Sequence, residues 1–275
     1  MTRSQRQHSG HPGNSSTPVS KAAAPRRRVA AQAAFEVRSL LSNGEQLLVS
    51  IILPVIALVG LVTVRPDYSG SLAADAPDTL AGAASLAVPG VLALAVVSTA
   101  FTGQAIVLAY ERRYGVLRLL GTTPLGRGGL LLAKACAVLT VVSVQVLVLG
   151  VLGLALGWRP AAAGIPMALL LILLGCAAFV ALAALLGGTL RAEAVLAFAN
   201  LAWIVFLGCG LLFPLDVLPD ALATVLRFTP PGALGEGLRL ALLGVDTTPL
   251  VPALVLAAWT AGIGLVAASR LRWSD

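Results

Sequence analysis

The residues best suited to chemistry sit together in one stretch, YERRYGVLRLLGTTPLGRGGLLLAKA, running from Tyr110 to Ala135. It places Glu111, Arg112, Arg113, Arg118, Arg127 and Lys134 between two long apolar runs. Guanidinium groups beside a carboxylate suit ion pairing and docking rather than bond making. Bond-making groups are scarce elsewhere. The only histidines, His8 and His11, lie near the N-terminus, so neither serine–histidine proteolysis nor a histidine metal site is implied. Cys136, Cys176 and Cys209 lie singly inside apolar runs and are expected to act as small buried hydrophobes. No Gly-x-x-x-x-Gly-Lys-Ser/Thr occurs, so the phosphate cradle that ATP hydrolysis needs is missing. No pair of carboxylates stands inside an apolar run, and Glu193 lies at a boundary near Arg191. A proton-driven carrier ordinarily needs an ionisable group at mid-membrane, so an externally powered machine is favoured.

The elements that must hold this stretch are membrane helices. Of 275 residues, 58% are hydrophobic and 11% charged, against roughly half and about a quarter in soluble domains. The mean hydropathy is +0.92. Crossing about 30 Å of hydrocarbon takes about 20 helical residues. Six runs qualify: Leu47–Val64, Ser85–Ala109, Leu130–Leu156, Ile165–Leu186, Ala194–Phe213 and Val251–Ala268. Unpaired backbone cannot face lipid, so all six are read as helices. Only GWRPAAAG divides the third from the fourth, which predicts a tight hairpin.

Basic residues set the orientation. With the N-terminus inside, fifteen of the nineteen fall on the cytoplasmic side; Arg65, Arg159, Arg227 and Arg239 fall outside. Both termini and the Tyr110–Ala135 stretch are therefore expected in the cytoplasm. Arg outnumbers Lys seventeen to two, a bias that points to a GC-rich bacterial genome. Residues 1–28 are polar, basic and rich in Ser, Gly and Pro, which predicts a disordered tail. Residues 29–45 follow as a weakly amphipathic helix stopped by Asn43-Gly44, expected to lie on the inner membrane surface with Arg26–Arg28 against anionic head groups. Residues 46–275 form the six-span domain.

Within the charged stretch, Tyr110, Leu117 and Leu120 recur at helical spacing, which predicts one short amphipathic helix. Gly121 and Thr122-Thr123-Pro124 end it. On the far side, Phe213–Leu250 is too broken by Pro214, Pro219, Pro230 and Pro231 for a span, yet too apolar for a free loop. Two short helices dipping into the outer leaflet are expected there, with Asp216 and Glu236 as the charges to follow. Polar residues inside the spans are Ser98, Thr99, Thr102, Gln104, Ser143, Gln145 and Asn200. Each must hydrogen-bond to a neighbouring helix or face a cavity.

The order ERRYGVLRLLGTTP followed by AK resembles the cytoplasmic loop of ABC-2 type transporter permeases. Glu111, Arg112, Gly115, Leu117, Leu120, Thr123, Pro124 and Lys134 fall in register with that pattern, whereas Arg113 and Ala133 depart from it. The resemblance implies an all-α, six-span membrane subunit with an N-terminal surface helix and outer re-entrant helices. It implies pairing with a second permease subunit, the same or homologous, in a bacterial plasma membrane. It also implies docking on a separate cytoplasmic ATPase that supplies ATP and Mg chemistry, no cofactor being held by this chain. The loop becomes a coupling helix: Glu111, Arg112, Arg113, Gly115, Leu117, Leu120, Thr123 and Pro124 meet the ATPase. Arg112 and Arg113 face acidic groove residues, and Val116, Leu117 and Leu120 anchor the helix to the membrane domain. Lys134 snorkels toward the cytoplasm. Gln104 and Asn200 rank first for the substrate path, and Asp216 and Glu236 for an outer gate. The cargo is expected to be hydrophobic or amphipathic, drug-like or lipid, and no nucleic acid is implied. A secondary carrier and a non-transporting membrane scaffold stay open as alternatives.

Overall fold

The computed structural model describes residues 24–42, 44–64, 79–244 and 248–270. Most of the expected basic tail and the segment after the first apolar run lie outside them. Helix α1 is Pro25–Ser42, entered through a proline at its first position, where the missing N–H costs nothing. Helix α2 is Gly44–Val64. Helix α3, Leu80–Val97, starts at Thr79, whose hydroxyl accepts the Gly82 N–H at 3.1 Å. It continues through a π-helical turn, Ser98–Gly103, into α4, Gln104–Arg113. Helix α5 is Val116–Gly121 and α6 is Gly126–Ala155. A 3₁₀ turn, Ala162–Gly164, leads into α7, Ile165–Thr189. Helix α8, Ala192–Phe206, runs on through a π turn, Leu207–Leu211. A second 3₁₀ turn, Leu215–Val217, precedes α9, Asp220–Arg227. Helices α10, Pro230–Leu242, and α11, Leu250–Arg270, complete the described chain.

No strand occurs among the described residues. Five helical runs are long and apolar enough to cross a membrane: Leu80–Arg113, Gly128–Ala155, Ala162–Thr189, Ala192–Leu211 and Leu250–Ala267. The run expected at Leu47–Val64 is helical as α2, but its apolar part, Ser50–Val64, is shorter than these. The chain is thus an all-helical, multi-pass membrane protein. The α3–α4 run is its most buried long helix, and α11 and α8 are the most open. Helix α7 packs against α11, α4 and α10, while α1 lies along α6 and α2 along α3.

Two expectations change in shape. The second run extends past both ends of Ser85–Ala109, so Glu111, Arg112 and Arg113 belong to the end of a long helix rather than to a separate loop helix. Gly115, at φ 77°, takes a left-handed turn that stops α4 and starts α5 afresh. The fifth run breaks before Phe213: Cys209 leaves helical geometry (φ −89°, ψ 38°) and Gly210 has φ 92°.

The two short helices expected between Phe213 and Leu250 are present as α9 and α10. Helix α10 is buried along nearly its whole length against α7, α11, α3 and the end of α8. Its start is fixed by Thr229, which accepts the Gly232 N–H at 3.4 Å ahead of Pro230 and Pro231. Of the cysteines, only Cys176 is buried; Cys136 is exposed and Cys209 intermediate, because the helical faces that carry them pack differently.

Candidate functional site

At the end of the bundle where α4 meets α5, three helices converge on one ammonium group. Lys134 of α6 is 2% exposed, and its Nζ lies 3.2 Å from Glu36 Oε2 of α1 and 2.9 Å from Glu111 Oε2 of α4. Gln32 donates to Glu36 Oε1 at 2.9 Å. The expected snorkelling of Lys134 is therefore corrected: two carboxylates satisfy the ammonium inside the protein, so it does not reach for water. The sequence signal was Glu36, the one carboxylate on α1, which the surface-helix reading left unpaired.

Arginines take up the neighbouring backbone and charge. Arg112, buried, donates through Nη2 to the Leu190 carbonyl, and Arg113 pairs with Glu193 at the start of α8. Arg28 Nη1 donates to the Pro124 carbonyl at 2.7 Å, so α1 also holds the turn after α5.

Helix α5 presents two faces. Leu117, fully buried, packs with Leu108, Leu130, Ala184 and Ala267, and Leu120 and Leu125 lie against the same cluster. Leu119 is 69% exposed and Tyr114, stacked on Tyr110 with centroids 5.9 Å apart, is 73% exposed. Val116, Arg118, Thr122, Thr123 and Pro124 are exposed too. Val116 thus falls on the outward face rather than among the anchors. The helical period could place Leu119 opposite Leu117, but it could not show Tyr114 standing clear at the break.

Midway along the bundle, polar groups mostly bond between helices. Gln145 of α6 donates to the Thr99 hydroxyl at 2.9 Å and to the Ser50 carbonyl of α2 at 2.8 Å. Trp203 Nε1 of α8 donates to Ser98 Oγ at 2.8 Å. Both acceptors on α3–α4 lie in the π turn, where the widened helix redirects side chains. Next to that turn, Phe101, Phe179 and Phe206 form a cluster with centroids 5.4–6.3 Å apart. Thr102 Oγ1 and Gln104 Oε1 are buried without a hydrogen-bond partner among the described residues. Gln104 is buried and Asn200 exposed on α8, so the two do not share one surface.

At the opposite end, α10 meets the break in the fifth run. Arg239, buried, donates through Nη1 to the Gly210 carbonyl at 2.6 Å and through Nη2 to the Leu211 carbonyl at 2.7 Å. These carbonyls are what a broken helix end leaves exposed, and a cation there also meets the negative end of the helix dipole. Asp216 pairs with Arg227 at 2.6 Å. Glu236 is 7% exposed and makes no hydrogen bond or ion pair among the described residues. Burial pushes its carboxyl above the ordinary carboxylate range, and nearby Asp216 adds to this while Arg227 and Arg239 oppose it. Among the described residues no group of three or more His, Cys, Asp or Glu is placed to hold a metal.

No curated protein matched the chain. The profile of the family described as ABC-2 family transporter protein matches residues 62–270, from the end of α2 to the end of α11. That stretch holds the long helices, the α4–α5 loop and the α9–α10 segment together, and the chain belongs to the ABC-2 transporter family.

Proposed function

We propose that this chain is the membrane subunit of an ATP-driven exporter of hydrophobic or amphipathic molecules, drug-like or lipid. A separate ATPase subunit binds ATP and Mg and hydrolyses the nucleotide. In this reading α2 is a sixth span, α1 lies along the inner surface of a bacterial plasma membrane, and the α4–α5 loop faces the cytoplasm. A second permease subunit completes the transport path. Helix α10 and the Asp216–Arg227 pair cap the path on the outside and gate release.

The observation that carries the reading is the two-faced α5. Its inner face is locked by Leu117, and α4 just before it is tied by the Glu36–Lys134–Glu111 triad. Its outer face offers Val116 and Leu119 beside Arg118, with Tyr114 and Arg113 exposed just ahead of it. A topology signal needs only charge. An exposed apolar face on a rigidly mounted helix suits a partner groove, where aromatic and arginine side chains concentrate binding energy. Glu111 and Arg112 enter this reading as supports behind the face rather than as direct contacts.

The test is capture of the ATPase subunit and substrate-stimulated ATP hydrolysis by the reconstituted complex. Tyr114→Ala combined with Leu119→Ala is expected to leave membrane insertion intact and to weaken capture at least about tenfold. Wild-type capture and hydrolysis in that variant would reduce the loop to a topology signal.

A further inference from the structure

Glu236 and Arg239 stand three residues apart on α10, close enough on a helix for their side chains to meet. Arg239 instead reaches across to the Gly210 and Leu211 carbonyls at the end of α8, and the buried Glu236 carboxyl makes no hydrogen bond or ion pair among the described residues. The junction is tight. A Cβ on Gly235 would overlap the Gly210 carbonyl oxygen, and one on Gly90 of α3 would overlap that of Leu211. Three backbones therefore meet around one guanidinium that bonds to neutral carbonyl acceptors while a carboxylate stands one turn away.

We propose that Glu236 is a proton site that sets this latch. With the carboxyl protonated, Arg239 holds the broken end of α8. When Glu236 gives its proton to water, the carboxylate draws the guanidinium away and the Gly210–Leu211 segment is released. The proposal rests on the reading of α10 as a gate and gives that gate its control.

The charges around Glu236 favour such a device. Helices α3 and α7 and the turns Ala162–Gly164 and Leu207–Leu211 bring no carboxylate or base toward α10; their titratable groups are Cys176 and Cys209. Helix α11 contributes only Arg270, at its far end, and α9 contributes Asp220 and Arg227. Arg227 is engaged by Asp216, and Arg239 is the cation on the same helix as Glu236. Burial raises the Glu236 carboxyl in the latched state. The latched state then keeps its proton over a range where the released state has lost it. The latch is at full strength below the ordinary carboxylate range and weakens as pH rises through the raised value.

Cys209, beside Gly210 at the break and partly exposed, reports on release without reference to transport. The full chain in lipid nanodiscs is treated with N-ethylmaleimide from about pH 4 to about pH 8, and modification of Cys209 is read by mass spectrometry. Glu236→Gln carries the same thiol chemistry, so the wild-type-to-variant ratio isolates the carboxyl. That ratio is expected to rise with pH by about fivefold or more, the lower end for coupling between two sites. Arg239→Lys, which cannot span both carbonyls, is expected to label faster than Glu236→Gln at every pH. A constant ratio, or wild-type labelling with no pH dependence beyond that of a free thiol, overturns the proposal. The gate is read separately, as efflux by the complex with its ATPase. A pH-dependent ratio with wild-type efflux in Glu236→Gln upholds the proton site while refuting the gate.

Discussion

Lys134 answers two carboxylates with one ammonium, and the three groups come from three different helices. Removing one member of a buried ion group leaves an uncompensated charge, a loss of about 3–5 kcal/mol. Replacing all members by neutral groups of similar shape avoids that penalty. Lys134→Met is therefore expected to lower stability by about 3–5 kcal/mol, and the triple change Glu36→Gln, Glu111→Gln, Lys134→Met to recover most of it. Thermal unfolding in detergent, followed by tryptophan fluorescence, measures both. A single variant as stable as the wild type would show that the triad stays open in solution. Arg112 obeys the same logic with a backbone partner: lysine lacks the planar fork, so Arg112→Lys loosens the junction of α4 with Leu190 rather than a surface charge.

Two glycines separate strain from clash at the scale of elements. Gly115 has φ 77° with open space around it, so an added methyl meets only the cost of left-handed backbone, about 1–2 kcal/mol. Gly235 has ordinary helical geometry, but a methyl there collides with the backbone of the α8 break. Gly235→Ala is expected to lower the unfolding temperature more than Gly115→Ala. Gly115→Ala is expected instead to show itself in weaker capture of the ATPase, because α5 loses its aim. Equal unfolding temperatures would mean that α10 shifts freely against the break. The long apolar runs and the paired short helices at Phe213–Leu250 were legible in the sequence because length, proline and glycine act locally. The more distant partner of Lys134 was not, since Glu36 lies 98 residues away and reaches it only through the packing of α1 on α6. The α4–α5 break was half legible: Gly115 was visible, but a period that runs through it disguised two helices as one. The Arg239 junction was hidden for the first reason, its two carbonyls lying 28 and 29 residues upstream on an element that had to break to expose them.

Crossing number is a property of the whole molecule, and the contacts argue for an even one. Helix α1 is held at the loop end by Glu36–Lys134 and Arg28–Pro124. The last turns of α11 are at the same end, since Ala267 packs with Leu117 and Leu108. Two chain segments at one end of a bundle are joined by an even number of crossings. The proposed reading therefore completes the five long runs with α2, whose Ser50 carbonyl meets Gln145 inside the bundle. The excess of arginine and lysine at the loop end leads us to expect that end in the cytoplasm, as proposed above. Single cysteines at Ser39, Arg118 and Ser269, all exposed, are thus expected to resist a membrane-impermeant thiol reagent added to intact cells and to react after the cells are opened. A cysteine at Asp220, exposed on α9, is expected to react in intact cells. If Ser39→Cys and Ser269→Cys report opposite sides, α2 does not cross and the chain has five spans. If Arg118→Cys reacts from outside, the loop faces away from any cytoplasmic ATPase and α5 cannot be its docking element.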